Sequence, residues 1–407
     1  MNATIPSPRP LLYTVYFIYF FCGLTLCFEG AFNPEFKDYF QLGYQQQMYT
    51  MFAKNIPFVL AVGIGFLIPR VGYKNCLTVG MALFATGTLL LVPGLNSGSY
   101  AVVLAAFFII GLGFNFQLVA GNPMLSALGP ADGSSSRLNL GKALGAIAQI
   151  LGPVTLALII PASVITVQGK LPYMKGLFTV IGILLFGVAL LTLVVRNGNA
   201  SAGVRSPERT ATVTTVGEGA WLKSKLLFGF VTIFLVLGAE AGLFGLYRNY
   251  LEDAKIAGLT SHQSQFMFTV YFAVFALGRL VGSVVQKKTQ PATTLVVGAA
   301  VALCLLGVIV TAKGPLAIAG VTAIGFFVSI FFPTLYALAI EGLGEQTAKA
   351  SGLLTMGFLG CAVLPVLQGW LADRPGLGLQ RSYALSFLAY LAVLAYAWKA
   401  MRRPESN

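Results

Sequence analysis

The chain has 407 residues, of which 57% are hydrophobic and only 10% are charged, and its formal net charge is +13. About a quarter of the residues of a soluble domain are charged, so this composition excludes a soluble fold of this length. The charged residues lie mainly between long apolar runs, which favours membrane topology and lipid head groups, rather than nucleic acid, as the reason for the net charge.

Long apolar runs recur along the whole chain, and each has about 18 residues or more, enough for a helix to cross a bilayer. Strands of a membrane barrel would alternate in polarity, and these runs do not, so we predict an all-α integral membrane protein. Twelve transmembrane helices are predicted, at 11–36, 45–68, 75–93, 99–128, 137–160, 173–195, 222–251, 263–286, 291–312, 315–341, 346–372 and 381–401. The first run is followed by no cleavage site, which indicates a retained helix rather than a signal peptide.

A polar segment rich in Gly, Ser and Thr separates the sixth predicted helix from the seventh and is typical of a flexible linker. We therefore predict an N-terminal six-helix half at 1–195, a cytoplasmic linker at 196–221 and a C-terminal six-helix half at 222–407. Lysines and arginines are concentrated in the loops on the side of this linker, which predicts that both termini are cytoplasmic.

The two predicted halves repeat each other. NPMLSAL (122–128) in the fourth helix corresponds to FPTLYAL (332–338) in the tenth. Glu29 and Glu240 each lie about 18 residues into the first helix of their half, which is roughly 27 Å along a helix axis. Two pseudo-symmetric six-helix halves related by an axis along the membrane normal indicate the major facilitator fold.

The stretch GNPMLSALGPADGSSSRLNLGKALGAI (121–147) resembles the NP…LGP…RLNL stretch of the fucose permease family of sugar symporters. Shorter similarities occur, in order, at NPEF (33–36), FLIPRVGYKN (66–75), LGAE (237–240), LGR (277–279) and PTLYALAIEGLG (333–344). The resemblance implies a transporter rather than an enzyme, which carries a hexose or 6-deoxyhexose by alternating access, mostly with a cation. It implies a multi-pass protein of the bacterial inner membrane, whose partners are a small-molecule sugar and the lipid bilayer. We expect a monomer and no nucleic-acid partner.

The chain departs from the family at two coupling positions. Proton-coupled members have an aspartate in the first helix and a glutamate in the fourth, and these positions fall here on Gly30, one residue after Glu29, and on Leu118, beside Gln117. Proton symport, sodium symport and uniport therefore all stay open. No cofactor is predicted other than a possible coupling ion, H⁺ or Na⁺.

Four ionisable residues lie well inside predicted helices, namely Glu29, Lys54, Lys142 and Glu240. Charged groups in the membrane interior usually face a cavity or one another. Glu29 therefore either pairs with Lys54 or binds a sugar hydroxyl or coupling ion. Lys142 either extends to the cytoplasmic interface or lines the sugar site, where it could replace a coupling cation. Glu240 either accepts sugar hydroxyls or pairs with a lysine or arginine. Glu29, Glu240 and Lys142 are thus the candidates for coupling.

Amide and aromatic side chains complete the predicted sugar site. The candidates are the amides Gln117, Asn122, Asn139 and Gln149, with Asn115 and Asn55 as further possibilities, and the rings of Phe244, Tyr247 and Tyr336. Asn55 also accompanies Lys54 in the structural alternative. Asn122 precedes a proline and could instead bond the backbone groups that the proline frees, and each ring could simply pack. The sequence predicts no metal site.

Competing functions remain at this stage. Sugar uniport is the alternative within the same class, and Lys54 with Lys142 could instead clamp a small organic anion. Export of amphipathic compounds is disfavoured by the amides, because exporters of this fold favour an apolar pocket. A non-transporting sensor of the same fold is the fourth possibility.

Overall fold

A computed structural model describes residues 9–128, 134–161, 163–195, 220–341, 350 and 353–402, and within these ranges the regular structure is helical with no strand. The α-helices are α1 (Arg9–Ala31), α2 (Asn33–Tyr39), α3 (Tyr44–Gln47), α4 (Tyr49–Asn55), α5 (Ala61–Val71), α6 (Tyr73–Ser97), α7 (Tyr100–Ala127), α8 (Ser134–Ile159), α9 (Val167–Val194), α10 (Ala220–Glu252), α11 (Ser261–Val285), α12 (Pro291–Thr311), α13 (Pro315–Val328), α14 (Phe331–Ile340), α15 (Gly360–Ala372), α16 (Gly378–Ser382) and α17 (Ser386–Met401).

The described residues contain ten helical segments that are long and apolar enough to cross a membrane. A bent pair, Tyr44–Leu60 with Gly63–Val71, could form an eleventh, and α8 contains a shorter apolar helix, Leu140–Leu156. These segments account for all twelve predicted helices, so the all-α, multi-spanning architecture is confirmed.

Three predicted helices are interrupted where the sequence has a proline. The predicted helix at 11–36 ends at Ala31, and α2 then starts with Pro34 in its first turn, where a missing N–H costs little. The predicted helix at 45–68 contains a 3₁₀ segment, Ile56–Leu60, around Pro57. The predicted helix at 315–341 breaks before α14, where Pro333 cannot donate to the preceding turn.

The chain forms two compact units, which are described separately. The first comprises Met1–Glu29 and Ala53–Thr212, and the second comprises Gly30–Phe52 and Val213–Asn407. The predicted six-helix halves, 1–195 and 222–407, stay a prediction. The predicted linker at 196–221 lies almost wholly outside the described residues, so its boundaries stay a prediction.

Glycines bring the helices of each unit into close contact. In the first unit, Gly80, Gly87 and Gly94 repeat every seven residues on α6, and a Cβ added at Gly87 would lie 2.7 Å from the Ile110 backbone nitrogen on α7. Small residues matter here because lipid gives apolar helices no hydrophobic reason to associate, so close van der Waals packing must hold them together.

The same kind of contact recurs in both units. In the first unit, a Cβ at Gly23 on α1 would collide with the Gly145 carbonyl on α8. In the second, a Cβ at Gly360 on α15 would collide with the Phe234 carbonyl on α10. Gly23 and Phe234 are 211 residues apart, whereas Gly145 and Gly360 are 215 residues apart, so each unit has a close glycine contact between its first long helix and a later helix.

Gly87 and Gly187 provide a matched test of this packing. Gly87→Ala should lower the free energy of unfolding by about 1–3 kcal/mol, because the methyl group would overlap the α7 backbone. Gly187→Ala is the control, because a Cβ there meets nothing within 4 Å, and its effect should stay within about 0.5 kcal/mol. Thermal unfolding in detergent measures both variants, and equal losses would contradict close packing as the cause.

Candidate functional site

In the first unit, three polar side chains from α1 and α7 surround Gly121. The Tyr19 hydroxyl donates to Asn122 Oδ1 at 2.5 Å. A Cβ at Gly121 would lie 3.5 Å from Tyr19 Oη and 3.7 Å from Gln117 Nε2. Residues 117 and 121 are four apart and therefore lie on one face of α7, so the glycine leaves room for the tyrosine to approach both amides. Two predicted site residues are thus brought together.

Gln117 is the residue of this cluster that has an unused polar atom. Its side chain is 1% exposed, and its Oε1 accepts no hydrogen bond within the described part of the chain. An unsatisfied buried acceptor costs about 1–3 kcal/mol. Asn115 also has a buried Oδ1 without a partner, but its Nδ2 donates to the Pro57 carbonyl at 2.7 Å. Asn115 therefore supports the 3₁₀ break, whereas Gln117 retains an acceptor for a ligand.

The predicted residues of α8 contribute less to this cluster. Gly141 and Gly145 lie against Tyr19 on α1, while Lys142 is exposed and Gln149 is half-buried. Asn139 on α8 and Glu29 on α1 lie within helices, but their side chains are outside the described residues, so their roles stay predictions.

Lys54 and Asn55 are both buried where α4 ends. The Lys54 carbonyl is one of the close backbone contacts of Gly111 on α7. Its ammonium group interacts electrostatically with the buried Cys27 thiol on α1. This places a lysine at the α1–α4–α7 contact, and the pairing of Lys54 with Glu29 stays a prediction.

In the second unit, Glu240 is the centre of a charged and phenolic cluster. The half-buried carboxylate on α10 interacts electrostatically with Arg279 and Tyr271 of α11 and with Tyr390 of α17. It accepts no hydrogen bond from the described residues. The Tyr390 hydroxyl is buried and likewise has no hydrogen-bond partner there. A carboxylate acceptor and a phenolic donor are therefore both available in one neighbourhood.

The predicted aromatic residues differ in their surroundings. Tyr247 is fully buried, and its hydroxyl bonds to Thr322 at 2.7 Å and donates to the Met267 carbonyl at 3.2 Å. The packing alternative thus describes Tyr247 better than a stacking role. Phe244 is half-buried and Tyr336 is half-buried beside Phe332, so both rings keep accessible surface.

Sequence reasoning missed Tyr19, Tyr390 and Arg279 as members of these clusters. Arg279 had a usable signal, because it lies inside the predicted helix at 263–286 and belongs with the other intramembrane charges. The tyrosines had none, since the chain has 16 tyrosines and only the fold selects the one that bonds to Asn122 and the one that interacts electrostatically with Glu240.

Comparison with known proteins agrees with this architecture. The chain is 29% identical to a glucose/galactose transporter of Brucella abortus over 96% of this chain and 98% of that protein. It is 24% identical to the L-fucose-proton symporter of Escherichia coli over 78% of this chain and 76% of that protein. Among solved structures, a crystal structure of the E. coli fucose:proton symporter matches with a TM-score of 0.66 and 20% identity, covering 98% of this chain and 100% of that one.

The match to the family as a whole extends over most of the chain. Residues 12–365 match the Major Facilitator Superfamily, which confirms the predicted fold and the family resemblance. The apolar helices and the internal repeat are those that such a fold requires. The chain is a multi-pass membrane protein that belongs to the Major Facilitator Superfamily.

Proposed function

We propose that the chain is a secondary transporter of a neutral sugar, a hexose or 6-deoxyhexose, that works by alternating access in the bacterial inner membrane. The observation that carries this proposal is that each unit has polar groups in its interior that the described protein leaves unmatched. Among them are Gln117 Oε1 in the first unit and the Tyr390 hydroxyl in the second, and the half-buried Glu240 carboxylate accepts no hydrogen bond from the described residues. The names of the relatives, which include glucose/galactose and fucose transporters, agree with this substrate class.

A polyol suits these groups because every hydroxyl can both donate and accept. Gln117 Oε1 and Glu240 would accept from sugar hydroxyls, and Tyr390 would donate to one. Buried polar groups that are matched by the correct substrate and orphaned by its analogues give strong discrimination. Phe244 and Tyr336 retain surface against which the apolar face of a sugar could pack.

A neutral substrate is favoured over an organic anion. The alternative requires Lys54 and Lys142 to clamp a carboxylate, but both lysines already interact with other groups of the chain. In the second unit, the positive charge of Arg279 interacts with the negative charge of Glu240. The Glu240 carboxylate would repel an anionic substrate. We further propose that transport is symport coupled to H⁺ or Na⁺. In this proposal both termini and the linker are cytoplasmic, and the protein acts as a monomer whose other partner is the lipid bilayer.

Counterflow in proteoliposomes tests the substrate class. Vesicles preloaded with glucose, galactose or fucose should accumulate the labelled sugar transiently, and the same sugars should compete. Competition by small carboxylates alone, with no sugar effective at millimolar concentration, would replace the sugar proposal with anion transport.

Uptake driven by an imposed Na⁺ or pH gradient identifies the coupling ion, and counterflow without gradient-driven accumulation would indicate uniport.

Glu240→Gln should weaken sugar binding at least about tenfold, because a hydrogen bond to a charged group contributes roughly 1.5–3 kcal/mol. The variant keeps the shape of the side chain and removes its charge. Asp253→Asn is the control, since this carboxylate accepts from the Lys255 amide in the loop after α10. Sugar-dependent thermal stabilisation measures binding, and unchanged binding in Glu240→Gln would remove Glu240 from the site.

Tyr390→Phe separates a binding role from a packing role. Removal of its unpartnered hydroxyl should leave the free energy of unfolding unchanged or higher while sugar affinity falls. Tyr247→Phe should show the opposite pattern, a loss of about 1 kcal/mol in stability, because its hydroxyl bonds to Thr322, with little change in affinity. The two variants are compared by thermal unfolding with and without sugar, and a stability loss in Tyr390→Phe would contradict the assignment.

A further inference from the structure

Tyr19 on α1 connects the two amide side chains of the polar cluster in the first unit. Its hydroxyl donates to Asn122 Oδ1 at 2.5 Å, and it shares a second side-chain hydrogen bond with Gln117. A tyrosine hydroxyl has a single proton, and Tyr19 gives this proton to Asn122. The Tyr19 oxygen can therefore only accept from Gln117, and the donor is Nε2, because the amide oxygen has no proton to donate.

This order of donors and acceptors determines which atom each amide retains for a ligand. Gln117 uses Nε2 toward Tyr19 and retains Oε1, a buried atom that has no hydrogen-bond partner among the described residues. Asn122 uses Oδ1 toward Tyr19 and retains Nδ2, and this half-buried side chain makes no other hydrogen bond with the described part of the chain. The first unit thus presents one acceptor and one donor that are linked through the same hydroxyl.

The Tyr19 hydroxyl removes a freedom that amide side chains otherwise have. Rotation of an amide by 180° about its last torsion exchanges a donor for an acceptor with almost no change in shape. If Gln117 turned, its oxygen would face a tyrosine oxygen whose proton is already used. If Asn122 turned, its nitrogen would face the tyrosine proton and could not accept it. Tyr19 therefore holds both amides in one orientation.

The position of Tyr19 is itself fixed by packing against α8. Its side chain is 6% exposed. A Cβ added at Gly141 would lie 3.6 Å from Tyr19 Cγ, and one added at Gly145 would lie 3.2 Å from the Tyr19 carbonyl oxygen. Packing that restricts a side chain to one rotamer keeps its hydrogen-bonding atoms in one place, so the hydroxyl is a rigid reference point for Gln117 and Asn122.

We propose that Tyr19 is a positioning residue that sets the hydroxyl specificity of the first unit. It orients the amides so that one sugar hydroxyl has to donate, to Gln117 Oε1, and another has to accept, from Asn122 Nδ2. The inference rests on the proposed function, because it requires a sugar as the substrate, and it adds how the first unit recognises that sugar. Specificity follows because a missing hydroxyl leaves a polar group of the site unpaired.

Deoxy and deoxyfluoro analogues of the transported hexose separate the two roles. A deoxy analogue can neither donate nor accept at the altered carbon, whereas fluorine accepts weakly and cannot donate. At the hydroxyl that binds Gln117, both analogues should bind at least about tenfold more weakly than the parent sugar. At the hydroxyl that binds Asn122, the fluoro analogue should bind at least about threefold better than the deoxy analogue. Competition against counterflow of the labelled parent sugar measures each affinity.

Tyr19→Phe removes the hydroxyl and allows both amides to turn. The difference between the deoxy and the deoxyfluoro analogue should then fall below about twofold at both positions, while the maximal rate of counterflow changes little. Tyr16→Phe is the matched control. Tyr16 lies one turn earlier on α1 and packs against the same Gly141, and its hydroxyl makes no hydrogen bond with the described residues, so this variant should keep the wild-type pattern.

Three results would overturn the positioning role. They are a wild-type analogue pattern in Tyr19→Phe, the same change of pattern in Tyr16→Phe, and equal weakening of every analogue in Tyr19→Phe, which is the result expected if the hydroxyl only stabilises the fold. If Tyr19→Phe does not fold, Asn122→Asp provides the second test, because it keeps an oxygen for Tyr19 and removes Nδ2. Its loss of affinity should be confined to the sugar hydroxyl that accepts, and loss at both hydroxyls or at neither would contradict the proposal.

Competition by the parent sugar in the wild type tests the proposed function separately. Absence of any sugar competition there would refute the proposed function and the inference with it. Sugar competition with one analogue pattern shared by the wild type, Tyr19→Phe and Tyr16→Phe would refute the positioning role alone and leave the sugar proposal in place.

Discussion

The interior of a bilayer offers no water to polar groups, and this constraint accounts for most of what the structure does. Backbone groups are satisfied by helices, and side-chain polar groups must find partners inside the protein or leave an energetic cost. Most do find partners: Asn115 bonds to the carbonyl of Pro57 where the helix is broken, and Tyr247 bonds to Thr322. Such residues look functional in the sequence but serve the fold.

The few polar atoms without partners gain meaning from the same constraint. Gln117 Oε1 lies next to a completed Tyr19–Asn122 hydrogen bond, and the Tyr390 hydroxyl lies near a carboxylate that accepts nothing from the described residues. Unsatisfied buried groups are few in native proteins, and a functional role or a bound molecule is one of the reasons for which they are kept. The proposed sugar contacts therefore follow from incomplete pairing rather than from residue type alone.

The packing of residues 30–52 in the second unit follows from the same constraint. Arg248 is 3% exposed, and its guanidinium pairs with Glu35 of α2 and with Glu252 of α10. A buried charge is costly unless it is paired and hydrogen-bonded, so the two carboxylates make this buried arginine tolerable and attach α2 to α10.

The sequence by itself determined the helical class, the number of spanning segments, the internal repeat and the family, because long apolar runs and the 210-residue offset between NPMLSAL and FPTLYAL are features that need no tertiary contact to be seen. It also identified Gln117, Asn122 and Glu240 as polar residues at membrane depth. Only the tertiary structure decided which partner each has: that Tyr19 bonds to Asn122, that Tyr390 interacts electrostatically with Glu240, and that Glu35 binds an arginine 213 residues away. Partners come from different helices, and their choice depends on helix rotation and on glycine contacts that set the distance between axes. A one-residue step turns a helical side chain by about 100°, so composition and depth predict where a polar group lies along a helix but not what it faces.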